Sequence, residues 1–195
     1  MLLLMHDCSD WPVSFLGALY VGIVPVAVNT LLTVDDYSCM LKHSRAQAVL
    51  VSAVLLPTLQ AAMARGSHEV KTVVMLRPAE PLPLGILALD PLIAQAPAQV
   101  EAYATGPDDP GFWLYSSGST GQPKGALDTH ANPYWTAELY GTPVLGLTER
   151  DSCFSAAKLF FTYALDNGLS FPLNVGVTTI LMAERPTSEA TICTC

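Results

Sequence analysis

Short apolar runs alternate along the chain with longer stretches of mixed polarity. The short runs predict strands and the longer stretches predict helices, because their lengths and hydrophobic periods differ. Strands are predicted at residues 2–5, 24–28, 48–51, 72–76, 111–115, 153–155 and 177–181. Helices are predicted at residues 13–21, 33–43, 53–65, 132–140 and 161–171. This alternation is typical of an α/β fold with a mainly parallel sheet and flanking helices.

Two segments need a separate interpretation. Residues 77–110 are rich in proline and lack a strict period, which predicts a long surface connection with one short helix. Residues 11–32 are nearly uncharged and long enough for a membrane span, but two prolines and two glycines divide them. They therefore favour a buried helix followed by a buried strand. The apolar residues 1–5 have no basic residue before them, so no signal peptide, no membrane partner and a cytoplasmic location are predicted.

Composition limits the possible partners. The chain has 195 residues, of which 51% are hydrophobic and 13% charged, whereas globular proteins average about 25% charged. Such a chain either buries an unusual share of its residues or exposes surfaces that other elements normally cover. Its net charge of −8 argues against a nucleic-acid partner, which needs a basic surface. A nucleotide is still a possible ligand, because backbone N–H groups and a few cations can hold it.

The cysteines predict no metal site. They are scattered, odd in number and mostly within apolar segments, which favours reduced thiols. Cys193 and Cys195 have metal-ligand spacing, but no second cluster follows at a suitable distance.

The most specific chemistry is predicted in residues 115–125, Tyr-Ser-Ser-Gly-Ser-Thr-Gly-Gln-Pro-Lys-Gly, directly after a predicted strand. Glycines let a backbone approach a ligand closely, and successive N–H groups and hydroxyls can surround an anion. Lys124 adds a positive charge. The spacing matches neither a Walker A loop, since Gly125 follows Lys124, nor a G-x-G-x-x-G fingerprint. From composition alone, a Gly/Ser-rich surface loop with a chance lysine is the alternative.

The order of these residues resembles the signature loop of the adenylate-forming superfamily, [YF]-[ST]-S-G-[ST]-T-G-x-P-K-G, and every specified position is met. Residues 15–20, 24–32, 129–134, 154–161 and 181–186 resemble benzoate–CoA ligases specifically. The resemblance covers residues 11–187, and residues 1–187 are assigned to part of the large N-terminal domain of such an enzyme. Residues 188–195 are predicted to be an unmatched tail, and the C-terminal domain of such an enzyme is expected to be absent.

The resemblance implies ligation of an aromatic, benzoate-like acid to coenzyme A through an acyl-adenylate, with ATP, Mg²⁺ and coenzyme A as cofactors. Mg²⁺ is carried by ATP, so no protein metal site is expected. A homo-oligomer is possible for the parent enzyme. The residues expected to bind the ATP phosphates are Ser116, Ser117, Gly118, Ser119, Thr120, Gly121 and Lys124.

An acid pocket is implied at Phe161, Thr162 and Tyr163. By this resemblance the two aromatic rings form its walls and Thr162 limits its size. The residues themselves leave a second interpretation open, in which these aromatics fill the core at helical spacing. For Phe160 the core is the predicted location.

The chain departs from the benzoate–CoA ligase pattern at Ala164, Asp166 and Asp128. An Asp166 carboxylate that faces the pocket repels an anionic acid, whereas one that faces outward has no effect. The role of Lys158 stays open, and a capping or packing role is predicted for His130.

The superfamily's adenine- and ribose-binding motifs, its hinge and the catalytic lysine of its C-terminal domain are not found in the chain. The isolated chain is therefore not expected to complete the reaction. Two alternatives follow, a non-catalytic nucleotide- or phosphate-binding remnant and an inert product of a truncated gene.

Overall fold

The computed structural model describes residues 1–78, 81–116 and 123–194. Within these residues one sheet has seven strands, in the order β5-β4-β3-β1-β2-β6-β7. The first six strands run parallel, and β7 pairs antiparallel with β6. The strands are β1 (Leu2–Leu4), β2 (Val26–Ala27), β3 (Ala48–Ser52), β4 (Thr72–Leu76), β5 (Ile86–Ala88), β6 (Pro110–Ser116) and β7 (Lys124–Thr129). The mainly parallel α/β sheet predicted from the sequence is confirmed.

Helices cover both faces of this sheet. The first four are α1 (Asp10–Tyr20), α2 (Val34–Ser44), α3 (Leu56–Arg65), which follows a 3₁₀ turn at Ala53–Leu55, and α4 (Leu89–Gln95). Leu2 and Leu4 pack in one core with α2 and α3 residues, while Leu3 packs in a second core with α1 residues. Because neighbouring strand residues face opposite sides, a strand covered on both faces is apolar at every position. The uninterrupted apolar runs of the sequence have this cause.

The remaining helices and strands follow β7 in the chain. A second sheet of two parallel strands pairs β8 (Ser152–Phe154) with β9 (Thr178–Ile180). Helix α5 (Asn132–Thr136) continues into a π-helical turn at Ala137–Gly141. Helix α6 (Thr162–Leu165), a π-helical turn (Asp166–Ser170) and helix α7 (Phe171–Val175) form one helical segment, and α8 is Ser188–Thr194. Single π-helical turns within helices are frequent at functional sites.

The predicted start of α2 is confirmed in atomic detail. The Thr33 hydroxyl accepts a hydrogen bond from the Asp36 N–H at 3.2 Å, and the Asp36 carboxylate accepts one from the Thr33 N–H at 3.0 Å. This reciprocal pair is a capping box, which satisfies two N–H groups that a helix start leaves free.

Two strands have no counterpart in the sequence prediction. Strand β5 lies within residues 77–110, beside the predicted short helix, and β7 follows the glycine-rich loop. Strand β5 has three residues and lies at the edge of the sheet. Strand β7 is exposed over its first four residues and contains a glycine and two charged residues. Strand β5 is apolar but shorter than the runs that sequence reasoning uses to find strands, and β7 carries neither an apolar run nor an alternation.

In the described part of the chain, no helix is both long and apolar enough to cross a membrane. Residues 11–32 instead form α1 and β2, as predicted. Trp11 and Phe15 of α1 are fully buried, and their stacked rings lie 5.1 Å apart. The predicted burial holds for these two residues and for β2, whereas Val13, Tyr20 and Leu31 are exposed.

Candidate functional site

The two ends of the glycine-rich loop lie side by side. Ser116 at the end of β6 is paired with Lys124 at the start of β7, and Tyr115 is paired with Gly125. The antiparallel ladder therefore fixes the distance that the loop must bridge. The other predicted phosphate-binding residues lie outside the described residues; they are Ser117, Gly118, Ser119, Thr120 and Gly121.

Helix α2 supports the base of this loop through His43. Its Nδ1 atom lies 2.8 Å from the Tyr115 hydroxyl, and its ring lies against the rings of Trp113 and Tyr115. Burial raises the pKa of the Tyr115 phenol to about 12, so this hydroxyl stays protonated and can donate to the imidazole. Sequence reasoning assigned no role to His43, because its partner lies 72 residues further along the chain.

A cavity of about 620 Å³ opens at the same end of β6. Ser116 and Pro123, the described residues on either side of the loop, line it together with Phe161 and Thr162. The structure thus brings two of the three predicted acid-pocket residues next to the predicted phosphate loop. The carboxyl ends of parallel strands are where ligands bind in open α/β sheets. We name this space the loop-side cavity.

A second cavity of about 660 Å³ contains Tyr163, the third predicted pocket residue. Trp135, Tyr140 and Phe171 also line it. The side chain of Tyr163 is 67% exposed and that of Trp135 is 53% exposed, so the cavity is open to solvent. We name it the aromatic cavity. By contrast, Phe160 is buried in the core, as predicted.

One wall of the aromatic cavity is polar and includes Asp128, Asn132, Thr136 and Asp166. The Thr136 hydroxyl lies 3.2 Å from Asp166 Oδ1, and Asn132 Nδ2 donates to Asp128 Oδ1 at 2.8 Å. Burial raises the pKa of the Asp166 carboxyl above its ordinary value, and hydrogen bonds from Thr136 and Ser170 oppose this. The Asp166 carboxylate therefore faces a cavity and does not point outward from it.

A smaller cavity of about 40 Å³ lies between the other two. Thr162 lines both this cavity and the loop-side cavity, whereas Asp166 lines both this cavity and the aromatic cavity. Ala164, the remaining departure within the pocket segment, is fully buried. The helical segment that begins at Thr162 therefore presents residues to both larger spaces.

Lys158 is held by main-chain carbonyls, since its Nζ donates to the Met182 and Glu184 oxygens. It is not among the residues that line the two larger cavities. Burial lowers the pKa of the Lys158 ammonium, while the charges of Asp7 and Glu184 oppose that effect. His130 likewise lines neither cavity, and its N–H donates to the Asp109 carbonyl.

Asp7 is a buried carboxyl that sequence reasoning did not identify. It is 3% exposed, and the Leu159 N–H lies 3.2 Å and 3.4 Å from its two oxygens. Burial raises its pKa to about 6, although the Leu159 hydrogen bond and the Lys158 charge act in the opposite direction. Asp7 thus connects the segment after β1 to the residues that precede the pocket helix.

Among the described residues, no group of three or more His, Cys, Asp or Glu side chains is placed to hold a metal ion.

Comparison with known proteins identifies relatives over almost the whole chain. The AMP-binding enzyme family matches residues 1–194. A benzoate–CoA ligase of Thauera aromatica is 51% identical over 184 residues, which are 94% of this chain and 34% of that protein. A 4-hydroxybenzoate–CoA/benzoate–CoA ligase of Rhodopseudomonas palustris is 41% identical, over 96% of this chain and 34% of that protein. The chain thus spans about a third of the length of these relatives.

Solved structures agree with these matches. A benzoate–CoA ligase from Burkholderia xenovorans LB400 is 51% identical and superimposes with a TM-score of 0.87, over 98% of this chain and 36% of that chain. The anthranilate–CoA ligase AuaEII, solved with anthranoyl-AMP, is 33% identical, with a TM-score of 0.92 over 97% of this chain and 36% of that chain. The family match reaches residue 194, and residues 188–194 form α8. The division at residue 187 stays a prediction.

Proposed function

The chain belongs to the AMP-binding enzyme family, and we propose that it carries the phosphate- and acid-binding parts of an aromatic acid–CoA ligase. The proposed reaction joins the acid to ATP as an acyl-adenylate and then transfers the acyl group to coenzyme A. The activities for which these relatives are named, benzoate–CoA and 4-hydroxybenzoate–CoA ligation, support an aromatic acid.

One observation carries the proposal. Consecutive residues of the pocket segment, Thr162 and Tyr163, line the loop-side cavity and the aromatic cavity respectively. The loop-side cavity also contains Ser116, the first residue of the predicted phosphate set. An acid whose ring lies in the aromatic cavity is thus held by the same segment that borders the phosphate site.

The loop residues have a defined task in the first step. An oxygen of the acid's carboxylate attacks the α-phosphorus of ATP, and the bond to the bridging oxygen of pyrophosphate breaks. Negative charge moves onto the pyrophosphate, where Lys124, the Ser116 hydroxyl and the loop N–H groups can stabilise it. Magnesium enters with ATP and neutralises part of this charge. The thiol of coenzyme A then attacks the acyl carbon and releases AMP.

The aromatic cavity supplies orientation for the acid. Trp135, Tyr163 and Phe171 offer ring faces and edges, which favour stacked or edge-to-face contacts with an aromatic substrate. Thr162 lines the small cavity between the two larger ones, so its side chain limits how far the ring can enter. This positioning lowers the entropic cost of bringing the carboxylate to ATP.

Thermal unfolding of the 195-residue chain tests the proposal. It is measured without ligand and with Mg-ATP, with benzoate and with both. Ligand at about 100 times its Kd adds about 2.7 kcal/mol to stability. At roughly 2–4 °C per kcal/mol for a chain of this size, we expect the melting temperature to rise by about 5–11 °C.

A matched pair of lysine variants identifies the site. Lys124→Ala is expected to remove most of the shift due to Mg-ATP, whereas Lys42→Ala, at an exposed lysine of α2, retains it. A transition that no ligand moves in the unaltered chain would rule out the proposal. Stabilisation by ATP with no response to benzoate would support the phosphate-binding remnant instead.

A further inference from the structure

We propose that Asp166 makes the aromatic cavity selective for aromatic acids whose ring carries a hydrogen-bond donor, an amino or hydroxyl group. This inference rests on the proposed function, because it assumes that the acid's ring occupies the aromatic cavity. It adds a specificity determinant that a purely apolar pocket lacks.

Asp166 borders the aromatic cavity beside Tyr163. It begins the π-helical turn after α6 and lies three residues after Tyr163, so helical spacing brings the two side chains to one face. Both line the aromatic cavity with Trp135 and Phe171. The carboxylate therefore borders the space that the rings define.

The Asp166 carboxylate can accept further hydrogen bonds. An ionised carboxylate has about four lone-pair sites for hydrogen bonds. Among the residues that the structure describes, the hydroxyls of Thr136 and Ser170 donate to it. The Thr136 hydroxyl also lies 3.1 Å from each of two carbonyl oxygens, those of Asn132 and Pro133, and its single proton can serve one acceptor at a time. Asp166 thus has capacity for a donor from a ligand in the cavity.

The second carboxylate of the same wall is Asp128. Its Oδ1 accepts a hydrogen bond from the Asn132 amide at 2.8 Å, and the Asn132 Oδ1 accepts one from the Thr129 hydroxyl at 2.9 Å. These contacts hold Asn132 in place against Asp128. Substitution of Asp166 therefore tests whether a substituent at the polar wall uses Asp166.

The polar wall also lines the small cavity, together with Thr162. Asp166 repels the carboxylate of any bound acid, and this repulsion is common to acids that differ only in a methyl or a donor substituent. A donor substituent on a ring in the aromatic cavity can reach Asp166, whereas benzoate leaves that partly desolvated carboxylate without a new partner. Sites built to hydrogen-bond a substrate group discriminate against analogues that lack it. We expect a preference of about tenfold, the ratio that corresponds to 1.4 kcal/mol.

The test measures binding by calorimetry to the full 195-residue chain in the presence of Mg-ATP. The ligands are benzoate and the 2-, 3- and 4-isomers of methylbenzoate, aminobenzoate and hydroxybenzoate. A methyl group matches an amino or hydroxyl group in size but donates no hydrogen bond. At one ring position at least, the amino or hydroxyl acid is expected to bind about tenfold more tightly than the methyl acid, and the two series show which donor is preferred.

Three variants separate the possible outcomes. Asp166→Ala is expected to abolish the preference, and Asp166→Asn to reduce it, because a neutral acceptor forms a weaker hydrogen bond. Asp90→Ala, at an exposed aspartate of α4, is expected to keep it. The Asn variant preserves side-chain size and serves if the Ala variant unfolds. Benzoate binding without donor preference, or an equal preference after both Asp166 changes, overturns this inference alone. Failure of every acid to bind overturns the proposed function with it.

Discussion

Replacing Asp7 with Asn should make the chain more stable at neutral pH. Asp7 is 3% exposed, and its folded-state pKa is about 6, against 3.8 for an unburied aspartate. Burial disfavours the charged form more than the Leu159 N–H and the Lys158 charge favour it. An Asn side chain keeps an oxygen that can accept the Leu159 hydrogen bond but carries no charge.

The magnitude follows from the two pKa values. At 1.36 kcal/mol per pKa unit, their separation corresponds to about 3 kcal/mol. Because the folded-state pKa is the higher one, the folded chain binds the proton more tightly than the unfolded chain. The contribution of Asp7 to the free energy of unfolding is therefore fully present below about pH 4 and is lost as the pH rises through about 6. At pH 7 the unaltered chain bears the full cost, and Asp7→Asn avoids it.

Urea unfolding of the unaltered chain and Asp7→Asn at pH 4, 5, 6 and 7 measures this effect. The difference in free energy of unfolding should increase in favour of the variant by about 2 kcal/mol between pH 4 and pH 6, and it should approach the full value of about 3 kcal/mol at pH 7. Other titrating groups are common to both proteins and cancel in the difference. Parallel stability profiles for Asp7→Asn and the unaltered chain would refute the reasoning.

Three further substitutions test the fold around the site. Thr33→Ala removes the α2 cap and should cost about 1 kcal/mol, whereas Thr33→Ser should keep most of it; urea midpoints distinguish them. Phe15→Ala empties a fully buried position and should cost about 3–5 kcal/mol, so a loss below 1 kcal/mol by the same assay would contradict the assigned core. Tyr115→Phe should cost about 1 kcal/mol by losing the contact with His43, and much less in a chain that already carries His43→Ala.

The parallel sheet could be predicted from the sequence because its inner strands are short and apolar on both faces. Residues 72–76 were predicted as a strand with the bounds that the structure has, and all five are apolar or β-branched. Strand β7 could not be predicted this way, because its first four residues are exposed and its stability comes from pairing with β6. An exposed strand forms because it pairs with a neighbouring strand, and a single sequence does not identify that neighbour.

The candidate site could likewise be predicted only in part from the sequence. The glycine-rich loop and the residues at 161–163 could be located by motif, since the motif is continuous in the chain. The direction of Asp166 could not, because it depends on contact with Thr136, which lies 30 residues earlier. His43 and Asp7 were missed for the same reason, as their partners are 72 and 152 residues away. Long-range contacts thus decide which side chains face the cavities.

The proposed function places phosphate binding and acid recognition on different segments, which makes a last prediction possible. Lys124 begins β7 beside the loop, whereas Asp166 lines the aromatic cavity on the segment after Thr162. Substitutions at sites without shared partners usually have additive effects. Calorimetric titration with Mg-ATP alone should therefore show weaker binding in Lys124→Ala and unchanged binding in Asp166→Ala. In the double variant, the ATP affinity should equal that of Lys124→Ala. A further loss of ATP affinity on adding Asp166→Ala would mean that the polar wall and the loop act as one site.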